Sequence, residues 1–591
     1  MKKVWMNMML LALTALGWQA CTADSDDFTT PGSYLPSGNG SSNTSGSTST
    51  TSDVATFDVS INKANISEQE TIPADDNDYV ENTTFTRQVA IVFGNGTASV
   101  SGDVDGTTIA VEENNGDVVV TSTASDFVAY TVSGATTDGS LKIYSDKKFR
   151  LELAGVSITN PTGAALNIQS KKRVFVVLAD GTENTLTDGT SYTDATSGED
   201  MKACLFSEGQ LCFSGKGSLS VYGNCKAGIR SDDYVTIRPG ANIYVKTTAG
   251  NGIKGNDAIN ILGGVVNVET SATAAKAIST DGHLSISGGR TTAIVTGGAT
   301  YDTDEQDVVG SAGLKADSTL TISGGEVWVK NTGAGGKGIS VDMQTHLTGG
   351  TIGIITTGKT YSYSGRTDSK AKGIKSDGDL TISGGTIKVR STGGEGSEGI
   401  ESKGTITISD GTVQVYAYDD AINSSSHLYI KGGNVYAHST GNDGLDSNGN
   451  TYIQGGTTVA YGTRQPECGI DANEEGGYTV YLTGGNLFAI GGGNSMPTNS
   501  NSTQGYVTAS GSLTAGTTAT IGSGSETLAT FSLPASYSSG SILVTAQGMT
   551  AGQSYTLTIG SQSATATASQ YGSSGMGMGG GGGMPGGGFR R

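Results

Sequence analysis

The chain is poor in several residue types, and each shortage removes a class of protein. Only 9 of 591 residues are proline and no Gly-X-Y period runs through them, which excludes collagen. Basic residues are outnumbered 35 to 55, leaving a formal net charge of −20, the wrong sign for a nucleic-acid phosphate backbone. Beyond the N-terminus no apolar run is long enough to span a bilayer. Helical periodicity is missing, so a leucine-rich repeat is out, as is the six-residue step of a left-handed hexapeptide helix. There are five cysteines without metal-ligand spacing; whether Cys204 and Cys225 pair is left open. Four histidines, His283, His346, His427 and His438, form no catalytic or metal pattern. A resemblance of Ser101–Glu112 to an EF-hand loop fails because its flanks alternate like strands. What is abundant is glycine, 92 residues, alongside Val and Ile alternating with polar residues.

The ends are distinct from the body. Lys2-Lys3, an apolar run from Val4 to Trp18 and Gln19-Ala20-Cys21 describe a secretory signal over 1–21. Cys21 is the expected lipidation site. The following Asp24-Ser25-Asp26-Asp27 resembles the acidic export tag of Bacteroidota surface lipoproteins. The expected location is therefore the outer membrane, surface-exposed, with a lipid anchor as the sole membrane contact. Residues 22–56 read as a Ser/Thr/Gly tether and 571–591 as a Gly-rich tail.

Between them lies a repeat. An apolar anchor, usually preceded by Gly, recurs at Leu166, Leu205, Ile229, Ile253, Ile278, Leu314, Ile339, Ile374, Ile400, Ile422, Leu445 and Ile470. Three copies are lengthened by polar segments at Thr187–Met201, Gly298–Ser311 and Gly358–Lys370. Each copy holds three short alternating strands parted by turn signals such as Asp377-Gly378 and Gly384-Gly385. Three strands per repeat of roughly 24 residues predict an all-β, right-handed parallel β-helix of about twelve coils, extending on the order of 58 Å. It should occupy 136–495, with a β cap over 57–135 and a second β unit over 496–570. A monomer is expected.

Tyr130–Leu141, Leu151–Ile158, Ala179-Asp-Gly-Thr-Glu-Asn-Thr-Leu186 and the Gly-Ile-Lys/Thr-Ile-Ser-Gly-Gly repeats resemble a carbohydrate-binding β-helix family first described in a cellulolytic clostridium. The resemblance implies a pectate-lyase-like helix, bound calcium, and cellulose or acidic polysaccharide such as polygalacturonate as partner, with no established enzyme activity.

Columns of equivalent residues name the candidate sites. Two residues before the anchor stand Lys337, Lys372, Glu398, Asp420 and Asp443. One residue after it stand Arg230, Lys254, Lys315, Lys375, Glu401, Asn423, Asp446 and Asp471. Early coils are basic here and late coils acidic. Carboxylates stacked one coil apart repel unless a cation separates them, and Ca²⁺ accepts six to eight oxygens flexibly. The metal candidates are Glu398, Glu401, Asp419, Asp420, Asp443, Asp446 and Asp471. A third column, Asp232, Asn256, Asp281, Asp317, Asp342 and Asp377, precedes turns and reads as structural. Trp328, Tyr436 and Phe488 share an outward position three residues after the Gly-Gly turn and are candidates for stacking on sugars. Lys337, Lys372 and Lys375 are candidates for pairing with uronates. The leading expectation is a non-catalytic glycan-binding protein. A calcium-dependent polysaccharide lyase, with Lys375 or Lys403 as base, and a structural adhesin are the alternatives.

Overall fold

The computed structural model describes residues 54–193, 198–365 and 367–572. The signal, Cys21, the tether up to residue 53 and the tail from 573 lie outside the described residues. The body is the expected right-handed parallel β-helix, with about fifteen turns where the anchors predicted twelve. The additional turns come from the N-terminal region. Arg87–Gly94 pairs in parallel with Val128–Thr136, and Asp117–Ser122 with Ser140–Ser145, so coil stacking begins well before residue 136. The hairpin partners Thr97–Gly102 and Ile109–Asn114 pair antiparallel with these strands and close the first edge.

A single coil shows why the sequence folds this way. Leu445–Ser447, Thr451–Ile453 and Thr457–Tyr461 form three short strands. First strands stack in parallel in a 14-stranded sheet whose edge strand, Ile109–Asn114, is antiparallel; second and third strands build two further walls joined in a 28-stranded sheet. The anchors lie in register, Ile374↔Ile400↔Ile422↔Leu445, and all are fully buried. Alternation at period two sends every second side chain into this thin apolar stack.

Two kinds of glycine keep the coil closed. Gly385, second of its pair, has φ +85°, and a Cβ there would sit 2.8 Å from the Gly350 carbonyl oxygen one coil away. Gly399, before the anchor, lacks that constraint; a Cβ would meet Val415 Cγ1 at 2.1 Å, because the opposite wall crosses too closely for any side chain.

The outer face of the third wall is covered. Residues 54–86 form a strap, not the expected β cap, running against the direction of coil stacking. Arg390 donates to the Ala55 carbonyl, Lys330 pairs with Asp58 at 2.7 Å, and Lys63 sits 3.2 Å from the Tyr244 ring centroid. Glu70 and Glu81 clamp Arg238, and Asp78 pairs with Arg173 at 2.8 Å. At the other end Tyr537–Thr545 pairs antiparallel with the last coil strand Asn486–Gly491. A four-stranded sheet of Thr517–Ser523, Glu526–Leu533, Ser554–Ile559 and Gln562–Thr567 completes the C-terminal unit. The inserted segments at 298–311 and 358–370 become hairpins, Thr300–Asp302 with Asp307–Val309 and Tyr361–Tyr363 with Thr367–Ser369. Tyr301 and Tyr363 stack across them at 3.8 Å.

Candidate functional site

The outward position after each anchor forms one continuous column on the 14-stranded sheet. Its register runs Arg230↔Lys254↔Ser279↔Lys315↔Ser340↔Lys375↔Glu401↔Asn423↔Asp446. Asp471 follows across the Leu445↔Ile470 bridge. In the basic half each cation faces an aspartate two residues on or one coil over. Lys254 meets Asp281 at 2.8 Å, Lys315 meets Asp317 at 2.8 Å and Asp342 at 2.5 Å, and Lys375 meets Asp377. The turn column read as structural is thus the counter-charge of the first column.

The ladder then inverts. In the coil of Ile400 the carboxylate Glu401 stands in the anchor column and the turn position supplies Lys403, which pairs with it. Lys372 also holds Glu398 and lies 3.2 Å from Glu401. Those two lysines keep the Glu401 carboxyl below the usual range despite its burial. In the next coils the turn position is Ser425, Asn448 and Asn473, none of them cationic. The compensation runs out while the carboxylates continue.

Asp443, Asp446 and Asp471 converge at that point, each offering an oxygen within 4.8 Å of the others. No ion pair reaches any of the three among the described residues. Burial, then the neighbouring carboxylates, pushes Asp443 up to about 8 and Asp446 to about 7. Asp443 accepts from the Cys468 amide and Asp471 accepts from Ser495 Oγ at 2.7 Å. Asp420 flanks the group, accepting from Asn423 Nδ2 at 2.9 Å and from the Asp443 amide at 3.0 Å; burial and the surrounding aspartates push its carboxyl strongly up. The triad borders a cavity of about 380 Å³, open to solvent and lined by Asp446, Asp471, Asn448, Asn473, Glu474 and Glu475 among others. Three oxygens on adjacent coils with no protein cation fit a hard divalent ion, with water to complete its shell.

The other expected site residues separate. Glu398 pairs with Lys372, and Glu401 with Lys372 and Lys403, so these two carboxylates, unlike the triad, have protein cations beside them. Asp419 lies beside the triad, where it accepts from the Gly396 amide at 2.5 Å and from Asn442 at 2.7 Å. The stacking column is in register as expected, Trp328↔Gly353↔Lys388↔Gln414↔Tyr436↔Val459↔Phe488, but it is not open. Phe488 is fully buried and Tyr436 is 5% exposed, both packed against the C-terminal unit. Trp328 lies over Gly353 beside Phe57 of the strap and donates to Glu326 at 3.3 Å. These rings point away from the coil interior; the C-terminal unit covers Tyr436 and Phe488, and Trp328 is half-buried beside the strap. Lys372 is buried between its two glutamates, and Lys337 is half-buried against the Gly335 carbonyl and Ser369 Oγ. Burial and the nearby Lys375 and Lys372 bring Lys337 down to about 8. Lys375 stays on the open face, paired with Asp377. The four described cysteines are free; Cys204 and Cys212 are buried thiols.

A family model for carbohydrate-binding domain-containing proteins matches residues 114–282 and 392–555, together more than half of the chain. The chain belongs to that family. The second matched segment includes Asp443, Asp446 and Asp471. A carbohydrate-binding domain-containing protein of Acetivibrio thermocellus is 38% identical over 121 residues, covering 20% of this chain and 42% of the relative, so the match spans less than half of that protein. A solved structure titled as a polysaccharide lyase-like protein from C. thermocellum, a gadolinium derivative, aligns over 54% of this chain and 96% of its own at 22% identity. Its TM-score is 0.31, and a superposition of that quality carries no argument.

Sequence reasoning missed two features of this family member. One is the pair of asparagines, Asn448 and Asn473, whose neutrality leaves the triad uncompensated; aligning them with Asp377 and Lys403 would have exposed it. The other is an aromatic ladder, Tyr429, Tyr452 and Tyr481, legible in the repeated Leu-Tyr-Ile, Thr-Tyr-Ile and Val-Tyr-Leu.

The raised carboxyls set a pH dependence. Asp443 and Asp446 bind protons more tightly folded than unfolded, so stability falls as pH rises from about 4 through their folded values near 7 and 8. A cation-free sample should therefore melt lower at pH 8 than at pH 5. Adding a divalent ion at pH 8 should recover most of the difference, as read by calorimetry. A melting temperature insensitive to both would remove the triad's assignment.

Proposed function

We propose that the protein is a non-catalytic, cell-surface glycan-binding lipoprotein, anchored through Cys21. It holds a long acidic polysaccharide of the polygalacturonate type along the outer face of its 14-stranded sheet, with calcium held by Asp443, Asp446 and Asp471. The observation that carries this reading is the exhaustion of counter-charge along one open column, which leaves three carboxylates converged where Asp446 and Asp471 line a cavity open to solvent. A bound calcium there supplies positive charge on an otherwise acidic surface, which is what a uronate needs. Membership of a carbohydrate-binding family supports the ligand class. The covering of Tyr436 and Phe488, with Trp328 half-buried beside Phe57, argues against flat stacking of cellulose on the third wall and in favour of the charged face.

The lyase alternative requires a neutral lysine beside the metal. Lys372, Lys375 and Lys403 are each paired with a carboxylate, and Glu398 and Glu401 hold the Lys372 ammonium above the ordinary lysine range despite its burial. Lys337 is the more acidic ammonium, but it lies four coils from Asp446, on the order of 19 Å away.

Incubating residues 54–572 with polygalacturonate and calcium tests the reading. Calcium-dependent retention on the polymer, without unsaturated products absorbing in the ultraviolet, is expected. Such products would establish the lyase, and absence of retention on any acidic glycan would leave a structural adhesin.

A further inference from the structure

The acidic cavity ends at a corner that no charge explains. Beyond Asn448 and Gly449 the chain turns into the second wall, where Tyr429, Tyr452 and Tyr481 occupy one outward column. Their rings stack at 4.4 and 4.7 Å, parallel within 8°. Coil spacing sets that distance. Faces turned toward one another are unavailable to a ligand, so the interior of this ladder is structural. Its rim is different. His427 meets the edges of Tyr429, Tyr452 and Tyr478 at 6.0 to 6.2 Å, inclined 70 to 79°. Tyr478 stands outside the stack and is 39% exposed. Polar groups ring the same spot. Asn450 donates from Nδ2 to the Tyr452 hydroxyl at 3.2 Å, and Asn499 donates to the Tyr481 hydroxyl at 2.9 Å.

One loop joins this corner to the cavity. Asn473, Glu474 and Glu475 line the cavity, and the short turn they begin is closed by the Tyr478 amide donating to the Asn473 carbonyl at 3.0 Å. Tyr478 is therefore delivered to the aromatic rim by the same loop that walls the acidic cavity. An exposed ring for an apolar C–H face and phenols and amides for hydroxyls, with Lys431 5.2 Å from the Tyr429 ring centroid at the far end of the ladder, suit an uncharged portion of a sugar.

The geometry points to a saccharide subsite at His427, Asn450 and Tyr478 that takes the sugar unit next to the one whose carboxylate is held at the aspartate triad. This rests on the reading of the triad given above and extends it: the charged subsite anchors the carboxylate, and the aromatic corner adds affinity independent of charge.

The test uses residues 54–572 as wild type, Tyr478→Ala and Tyr478→Phe, titrated with calcium alone, with polygalacturonate plus calcium, and with cellohexaose. Tyr478 is exposed, so the alanine variant should fold, as its unchanged calcium affinity will show. Tyr478→Ala should weaken polygalacturonate binding about tenfold, the size expected of one ring contact, while Tyr478→Phe stays near wild type. Equal affinity of wild type and Tyr478→Ala for polygalacturonate overturns the subsite. Ring-dependent binding of cellohexaose without binding of polygalacturonate removes the acidic-glycan reading and keeps the subsite. Binding of neither saccharide overturns both.

Discussion

Asp443→Asn with Asp446→Asn is expected to abolish calcium-dependent stabilisation and, without calcium at pH 8, to make the protein more stable than wild type. The two halves of this result have one cause. In the wild type these carboxyls, Asp443 buried and Asp446 half-buried, sit among like charges, and ionising them at pH 8 works against the fold. A neutral amide of the same shape removes that opposition. The same change removes two of three converged anionic ligands, so the coupling of calcium to folding disappears. At a hundredfold excess over its dissociation constant, one bound ion stabilises by about 2.7 kcal/mol, and the variant should lose that increment. Calorimetry of both proteins at pH 5 and pH 8, with and without calcium, reads both halves. A variant that is less stable than wild type at pH 8 without calcium would show that the carboxylates have a counter-charge in solution.

The second large effect belongs to the strap. Arg238 is 2% exposed, with Glu70 at 2.8 Å on Nε and Glu81 at 2.9 Å on Nη1, and its guanidinium lies over the Tyr79 ring. Burial opposes its charge, and the hydrogen bonds it donates to the two glutamates outweigh that and hold its pKa up. Glu70→Gln with Glu81→Gln leaves this guanidinium buried without an anion, and arginine cannot shed its proton. A loss on the order of 3–5 kcal/mol is expected, concentrated in residues 54–86. Arg238→Met should cost less, since the carboxylates it abandons are 20% and 42% exposed and water reaches them. Trp328 reports the outcome: with the first 21 residues removed it is the single tryptophan in the chain. Release of the strap should shift its emission to the red and open residues 54–86 to proteolysis. Equal cost for the two variants would mean that the guanidinium is hydrated in solution.

Much of this architecture was legible in the repeats. Ile374, Ile400 and Ile422 named the interior column, Gly384-Gly385 the corner, and the change from Lys375 to Glu401 to Asp446 the sign reversal along one face. These are local signals, because in a parallel coil the nearest neighbour in space is the equivalent residue one repeat away, and sequence spacing becomes spatial register. For the same reason Asp443, Asp446 and Asp471 fall within one set of seven stacked carboxylates, Glu398 to Asp471, from which the structure brings these three together.

What the sequence determined, then, is whatever the repeat itself encodes: three strands per coil, the apolar stack, and which residues share a column. Tertiary structure decided which columns remain open. Phe488 and Tyr436 point outward as their alternation demands, yet the C-terminal unit lies over them, and the strap that reaches Arg238 from Glu70 brings Phe57 to the Trp328 column. Those coverings join segments more than a hundred residues apart, or outside the repeat altogether, and no periodicity relates them. Pairing is equally a tertiary matter. Glu398 and Asp443 are equivalent by spacing, yet Lys372 pairs with the first, and among the described residues no lysine or arginine pairs with the second.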